Sequence, residues 1–284
     1  MTSVLNRQHI RVPATSASVG IKVRRMDMGF TDDIPDFWFN NDAFMTLFLT
    51  AFSATLPEGE KQFIQSVRHY QDRISDPVLL AEVRAFIGQE AHHAREHDAL
   101  NMLMKRKGYP IEKIETFTRD MNAWFRTKLP PEKQLAITVC AEHITALMAD
   151  YFLTKAPKSI DRMAEPVRTL WAWHAVEEAE HKAVAFDVYK LAVDDPWLLR
   201  KTMFQVTMMI FRFNAANTRY LLRHSGHSRN LKTWAKGLNF LFGWKGMVPS
   251  IAKDYMDFYL PGFHPWKHDN RKALQVFRER FLGE

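Results

Sequence analysis

Two Glu-x-x-His motifs are the first residues in this sequence that could do chemistry, because carboxylate and imidazole groups are ligands for transition metals. Only Glu90 and Glu178, among all glutamates of the chain, are followed three positions later by a histidine, His93 and His181. Residues three apart on a helix lie on the same face, so each motif can present both groups to one point. The pairs alone are a weak signal, and their surroundings carry more weight.

Both motifs interrupt apolar helical stripes. Steps of three and four positions connect two sets of residues: Phe86, Glu90, His93, His97, Leu100 and Met104; and Trp171, His174, Glu178, His181, Ala185 and Val188. A stripe with this period faces the protein core. Charged groups are costly in a core unless they are paired, so the polar groups are expected to bind something. Glu177 and Glu180 fall on other sides of the second helix and are expected to face solvent.

Two further glutamates occupy apolar faces of other predicted helices. Glu142 lies in "LAITVCAEHITALMADYF", and Glu60 lies in "LPEGEKQFIQSV". A Glu from each of two helices and Glu-x-x-His from each of two others is the ligand set of ferritin-like dinuclear proteins. Four carboxylates also balance two divalent cations, which lowers the cost of burying the cluster. The pattern predicts an all-α, ferritin-like four-helix bundle with two iron ions, or manganese or mixed Mn/Fe, because the donors are oxygen and nitrogen.

Composition limits the alternatives. The chain has 284 residues, 46% of them hydrophobic, which is enough for one large core. The single cysteine, Cys140, excludes a disulfide framework and a cysteine-based metal site, and it favours a cytoplasmic location. The first 20 residues lack the apolar segment of a secretory signal, and no apolar run of about 20 residues that would predict a membrane span is evident.

Positive charge is concentrated at the C-terminal end. Residues 196–284 contain 15 Lys or Arg against 5 Asp or Glu, together with four of the eight tryptophans. A basic aromatic segment of this kind could contact an anionic membrane surface, at the inner face of the membrane, or nucleic acid. A solvated basic face is the simpler interpretation and is preferred, and nucleic acid is not expected as a partner.

Helical periodicity runs through most of the chain. Helices are predicted near 42–54, 58–74, 77–107, 111–128 and 131–155, followed by one long helix that reaches "LAVDDP" and three or four more in the basic end. We expect three segments: a flexible arm over 1–25, the di-metal bundle over 26–195, and a basic aromatic helical extension over 196–284 packed on the bundle as part of the same domain.

Four segments resemble a bacterial family of predicted metal-dependent hydrolases within the ferritin-like di-iron superfamily: "LPEGEKQFIQSVR", "GQEAHHAREHDALN", "AEHITALMADYF" and "WHAVEEAEHKAVAFDVY". The resemblance extends from about Ile21 to Leu260. It implies bridging roles for Glu90 and Glu178 and terminal roles for Glu60 and Glu142.

The sequence is also similar to the di-iron arylamine N-oxygenases, which carry His-x-x-x-Glu-x-x-His on one helix. His174 lies four residues before Glu178 and seven before His181, so this resemblance implies that His174 is a further ligand. His97 is either an alternative ligand or a residue that orients the site. In hydrocarbon monooxygenases a Thr lies four residues after the third helix's Glu, where this chain has Ala146, and this argues against that branch.

Three functions follow from these patterns. The first is a di-iron oxidase or oxygenase that uses O₂ and an external electron donor to oxidise a small or lipid-like organic substrate. The second is a metal-dependent hydrolase that uses metal-bound hydroxide, as the family description implies. The third is a metal-binding protein of the membrane surface, without catalysis, that uses its basic C-terminal helices. The sequence leaves the substrate and the oligomeric state open, with a homodimer as one option.

Overall fold

A computed structural model describes residues 19–284, and the arm predicted over 1–25 lies outside the described residues as far as residue 18. The described residues form eleven α-helices and no named strand. The all-α prediction is therefore confirmed. The helices are α1 Ala43–Ser53, α2 Leu56–Arg68, α3 Pro77–Arg106, α4 Ile111–Lys128, α5 Pro131–Asp150, α6 Val167–His181, α7 Val184–Ala192, α8 Pro196–His224, α9 Leu231–Phe242, α10 Met247–Asp257 and α11 Arg271–Phe277.

Local signals in the sequence account for the helix ends. The Asp76 carboxylate accepts a hydrogen bond from the Val78 amide at the start of α3, where Pro77 takes the first position and needs no donor. After α3, Gly108 has a φ of +88°. Glycine adopts this conformation at little cost in free energy because it has no Cβ. α5 continues into a short π-helical turn, Tyr151–Lys155, so the predicted end at Lys155 is reached in a different helical geometry.

One predicted helix is divided in two. The long helix expected to reach "LAVDDP" stops at His181, and α7 begins at Val184. The Lys182 ammonium group at the break donates hydrogen bonds to the His268 carbonyl and to Asn270 Oδ1. The apolar spacing continues across the break, because Ala185 and Val188 are buried as well, and periodicity therefore gave no sign of it.

Four helices surround the predicted ligands. α2 contacts α3, α3 contacts α6, α6 contacts α5, and α5 contacts α2, which closes a ring of neighbours. The buried apolar side chains form two clusters, and α3 contributes to both: Leu79, Val83 and Phe86 to one, and Leu100, Leu103 and Met104 to the other. The polar residues of α3 lie between these two groups. The predicted site is therefore a polar layer between two apolar halves of the core.

The helices beyond residue 195 pack against this bundle. α8 lies along α1 and α5, α9 contacts α1, and α10 contacts α5. The chain breaks predicted near Ser225–Gly226, 243–246 and 261–265 separate these four helices as expected. Within residues 19–284, a single helical stretch, Pro131–Lys155, is long and apolar enough to cross a membrane. Of its most apolar segment, 83% is buried inside the protein, as in a core helix.

A glycine allows α9 to approach α1 closely. A Cβ built on Gly237 would lie 2.1 Å from ring atoms of the buried Phe44 side chain. We expect Gly237→Ala to destabilise the protein by about 1–3 kcal/mol, because the ring must move out of its packed position. Thermal unfolding would measure the loss. The control is Ala235→Ser on the exposed side of the same helix, which should leave the unfolding temperature nearly unchanged.

Candidate metal centre

All seven predicted ligands are buried and converge on one region. Glu60 from α2, Glu142 from α5, and the motif residues of α3 and α6 are each at most 4% exposed. His181 Nε2 lies 3.3 Å from both Glu90 Oε1 and Glu142 Oε2, and His174 Nε2 lies 3.2 Å from Glu178 Oε1. The four helices thus bring together groups that are up to 121 positions apart, from Glu60 to His181.

The converging atoms form several overlapping groups. One set consists of Glu90, Glu142, Glu178 and His181, and each member offers an atom that lies within 4.8 Å of atoms from the other members. The same holds for Glu60 with Glu90 and His93, and for His93 with His174 and Glu178. Glu90 and Glu178 belong to the first set and also to one of the other two. This geometry agrees with the bridging positions that the sequence assigns to these two carboxylates, while their role as ligands stays a prediction.

The buried ligand atoms lack hydrogen-bond partners among the described residues. These unpaired atoms are both carboxylate oxygens of Glu60, Glu90 and Glu142, together with His93 Nδ1 and His181 Nε2. Buried polar atoms are nearly always paired, and each orphan costs free energy. Carboxylate oxygens and imidazole nitrogens without hydrogen-bond partners are suitable ligands for iron or manganese. The residues present therefore fit a pair of cations.

The carboxylates raise each other's proton affinity. Burial, with the nearby charges of Glu178 and Glu90, raises the pKa of Glu142 to about 8. Burial and the Glu90 charge likewise raise the pKa of Glu60 well above its usual value. Burial lowers the pKa of His93, but its hydrogen bond to Glu177 and the nearby carboxylate of Glu90 outweigh this and raise it to about 10. In the absence of cations, protons bound to these side chains would supply the positive charge that compensates the carboxylates.

Outer hydrogen bonds determine which nitrogen of His181 faces the centre. Gln89 Nε2 donates to the Lys22 carbonyl and to Glu180 Oε2, which turns its carbonyl oxygen toward His181 Nδ1 at 2.9 Å. An amide oxygen only accepts, so His181 Nδ1 carries a proton, and Nε2 is the nitrogen that faces the carboxylates of the centre. His93 is held in the opposite sense: its Nε2 lies 3.0 Å from Glu177 Oε2, which leaves Nδ1 facing the centre.

A chain of hydrogen bonds fixes His174 in the same way. The Asn101 amide donates to the Ser53 carbonyl, so Asn101 Oδ1 accepts from the Ser53 hydroxyl. The Ser53 oxygen then accepts from His97 Nδ1, and His97 Nε2 accepts from His174 Nδ1, each at 3.0 Å. His174 Nε2 is left with a lone pair beside Glu178. Both nitrogens of His97 are engaged in this chain, as an orienting residue requires, and His97 also offers an atom within 4.8 Å of atoms from Glu60 and His174, as an alternative ligand requires.

The expectation that Glu177 and Glu180 face solvent is wrong. They are 0% and 1% exposed. The guanidinium group of Arg24 bonds to both carboxylates, and Arg278 bonds to Glu180 as well. The helical wheel placed both glutamates off the core stripe correctly, but chain segments from near both ends of the protein cover that side of α6.

Sequence reasoning also missed Arg24, Gln89, Ser53, Asn101 and Thr145. The Thr145 hydroxyl lies 2.5 Å from Glu178 Oε2, and the other four act through the hydrogen bonds described above. Gln89 and Ser53 could have been suspected as polar residues on apolar helices. Arg24 gave no such signal, because its partners are more than 150 positions away. The histidines left out of the site do lie elsewhere: His143 packs against Phe258 and Phe263.

A family model described as predicted metal-dependent hydrolase matches residues 22–269. The chain belongs to this family. The matched range contains all seven predicted ligands and the residues that orient the three histidines. No curated protein and no solved structure matches the chain. The family description agrees with metal dependence and with the hydrolase alternative better than with oxidation, and it does not name iron. Membership of the ferritin-like di-iron superfamily stays a prediction.

We expect Arg24 to stabilise the buried carboxylates of Glu177 and Glu180, which surround the predicted ligands. Arg24→Leu would leave Glu177 and Glu180 buried with fewer cationic partners, and breaking a buried pair costs about 3–5 kcal/mol. Arg25→Leu is the matched control, because the neighbouring arginine is exposed. Chemical denaturation and metal titration should both respond to the first change and not to the second. Equal stability of the two variants would contradict the role given to Arg24.

Metal binding is expected to release protons near neutral pH. The folded-state pKa of Glu142, about 8, lies above its usual value, so the carboxyl group keeps its proton at pH 7 until a cation displaces it. Metal affinity should therefore rise as the pH rises from 6.5 to 8. Calorimetric titration with Mn²⁺ in buffers of different ionisation enthalpy would count the protons. An affinity independent of pH would contradict this interpretation.

Proposed function

We propose that the protein is an enzyme with a dinuclear metal centre held by Glu60, Glu90, His93, Glu142, His174, Glu178 and His181. The observation that carries the proposal is the convergence of unpaired, buried carboxylate and imidazole atoms from four helices. Four carboxylates neutralise two divalent cations, so the loaded layer would be uncharged between the two apolar halves of the core. Glu90 and Glu178, which each belong to two of the converging sets, would be the carboxylates that both cations share.

We further propose that the metal is iron and that the reaction is the oxidation of an organic substrate by O₂. Ferrous ions, when bound, would supply electrons for the reduction of O₂. Carboxylate and imidazole donors without thiolate suit iron or manganese better than a structural zinc. The outer hydrogen bonds hold the three imidazole rings in fixed orientations toward the centre, and they would keep the ligand geometry in place once cations are bound. An external electron donor would be required.

A cavity beside the centre supports an uncharged substrate. The cavity has a volume of about 100 Å³ and lies between α2, α4, α5 and α8, and no charged side chain among the described residues lines it. Most of its wall is apolar, formed by residues such as Phe63, Phe125, Ile137 and Phe213. Thr145 lines the cavity and also bonds to Glu178. A small apolar molecule, or one end of a lipid-like chain, fits this lining.

The metal content of the protein tests the centre itself. Protein loaded with Fe²⁺ under anaerobic conditions should bind two equivalents, and Glu142→Ala should lower the stoichiometry toward one. Glu132→Ala is the matched control, because this glutamate lies on the exposed side of the same helix. Elemental analysis after desalting gives the count. One equivalent or less in the unaltered protein would rule out a dinuclear centre.

The response to O₂ tests the reaction. After anaerobic reduction, admitting O₂ should produce rapid O₂ uptake in proportion to the bound iron, because both ions are oxidised together. An oxygen electrode and optical absorption would record it, with the Glu142→Ala variant as the control for free iron. A fully loaded centre that stays reduced in air would exclude oxidation while leaving the metal assignment intact.

Hydrolysis is the second candidate, and the family description favours it. A metal lowers the pKa of a bound water, and the hydroxide that results can attack an ester or amide. This reaction needs neither O₂ nor a reductant. Metal-dependent turnover of apolar esters in an anaerobic chamber, with no effect of added air, would therefore establish hydrolysis in place of oxidation.

A further inference from the structure

The first two helices that follow the bundle, α8 and α9, carry basic residues and no acidic residue. From Pro196 to Lys253 the sequence contains ten Lys or Arg residues and no Asp or Glu. Within residues 19–284, none of these ten basic side chains pairs with a carboxylate. We call the exposed side chains of Pro196–His224 and Leu231–Phe242 the α8–α9 surface. Its positive charge is not neutralised by neighbouring carboxylates.

Large apolar side chains follow one exposed stripe of α8. Trp197, Phe204, Met208 and Phe211 are 75%, 61%, 40% and 50% exposed. Their spacing of seven, four and three positions places them on the same side of the helix. An isolated exposed apolar residue needs no explanation, but a contiguous patch marks a site of interaction.

The stripe continues onto α9. The exposed Leu231, Leu238 and Phe242 are spaced by seven and four positions, and the rings of Phe211 and Phe242 lie 6.1 Å apart, centre to centre. The two helices therefore present one joined apolar surface. Lys201 and Arg212 lie four positions after Trp197 and Met208, so α8 places exposed basic groups along the same side as its apolar stripe.

We propose that the α8–α9 surface binds the surface of an anionic phospholipid bilayer. A helical surface that combines basic side chains with exposed tryptophan, phenylalanine and leucine lies in the headgroup region, with its apolar groups at the acyl boundary. Unpaired Lys and Arg are attracted to anionic lipids. Trp197 and Trp244, which are 75% and 93% exposed, are of the residue type that favours the membrane interface. The lack of acidic residues is what an anionic partner requires.

The proposal does not depend on the proposed catalytic function. No residue of the α8–α9 surface is among the predicted metal ligands, and docking requires no metal. If both proposals hold, α8 connects them, because Met209, Ile210 and Phe213 on this helix line the cavity beside the metal centre. A lipid-like substrate could then enter from the bilayer on which the protein docks.

Vesicle flotation tests the proposal with the full-length protein. We expect it to float with vesicles of phosphatidylcholine and phosphatidylglycerol and not with phosphatidylcholine alone, and to bind less at high salt because salt screens the charge. Phe204→Ser combined with Phe211→Ser should lower binding more than ~10-fold, because apolar insertion is lost. Lys201→Glu combined with Arg212→Glu should abolish binding to the anionic vesicles.

The matched control combines Met102→Ser with Val276→Ser, because these residues are also about half exposed but lie on α3 and α11. This variant should float like the unaltered protein. Failure of the unaltered protein to float would overturn the proposal, and so would unchanged binding of the Phe204/Phe211 variant. Light scattering supplies a third decisive outcome: a dimer that the Phe204/Phe211 variant converts to a monomer would assign the surface to a second copy of the chain instead.

Discussion

The structure depends on how four buried carboxylates are compensated. Glu60, Glu90, Glu142 and Glu178 lie in one polar layer, and like charges at this separation cannot all stay ionised in an apolar interior without positive charge among them. Burial, and after it this repulsion, raises the pKa values of Glu60 and Glu142. Two divalent cations would remove the repulsion, and the carboxylates would then hold four helices together instead of separating them. Metal binding and the stability of the bundle are therefore coupled.

The residues around the ligands serve this compensation. Each of the three imidazole rings is oriented by a different outer partner: an amide for His181, a carboxylate for His93, and the His97 relay for His174. Arg24 then neutralises the carboxylates of Glu177 and Glu180, which lie outside the ligand layer. In this outer layer the buried carboxylates of Glu177 and Glu180 each have a cationic, hydrogen-bonded neighbour, whereas the oxygens of Glu60, Glu90 and Glu142 in the centre have no hydrogen-bond partner among the described residues.

Sequence reasoning reached the inner layer of the site but not the outer one. Glu90 with His93, and Glu178 with His181, were predictable because ligand spacing on a helix follows the helical repeat. Most helix bounds followed for a similar local reason, as Asp76, Pro77 and Gly108 illustrate at the ends of α3. The burial of Glu177 and Glu180 was not predictable, because Arg24 and Arg278 reach them only through tertiary packing. The break after His181 was missed because the apolar spacing continues through it.

The two sides of α8 explain why its composition looked ambiguous in the sequence. A helix that packs on a bundle by one side only should be polar on the other, yet the outer side of α8 carries large apolar residues among its basic ones. Its inner side carries Met203 and Val206, which are buried, and its outer side carries Phe204 and Phe211, which are exposed. Packing against α1 and α5 accounts for the inner side alone. The outer aromatic residues contribute nothing to the core. Their exposure to water is unfavourable, and such a surface becomes favourable only when a second apolar environment outside the protein covers it.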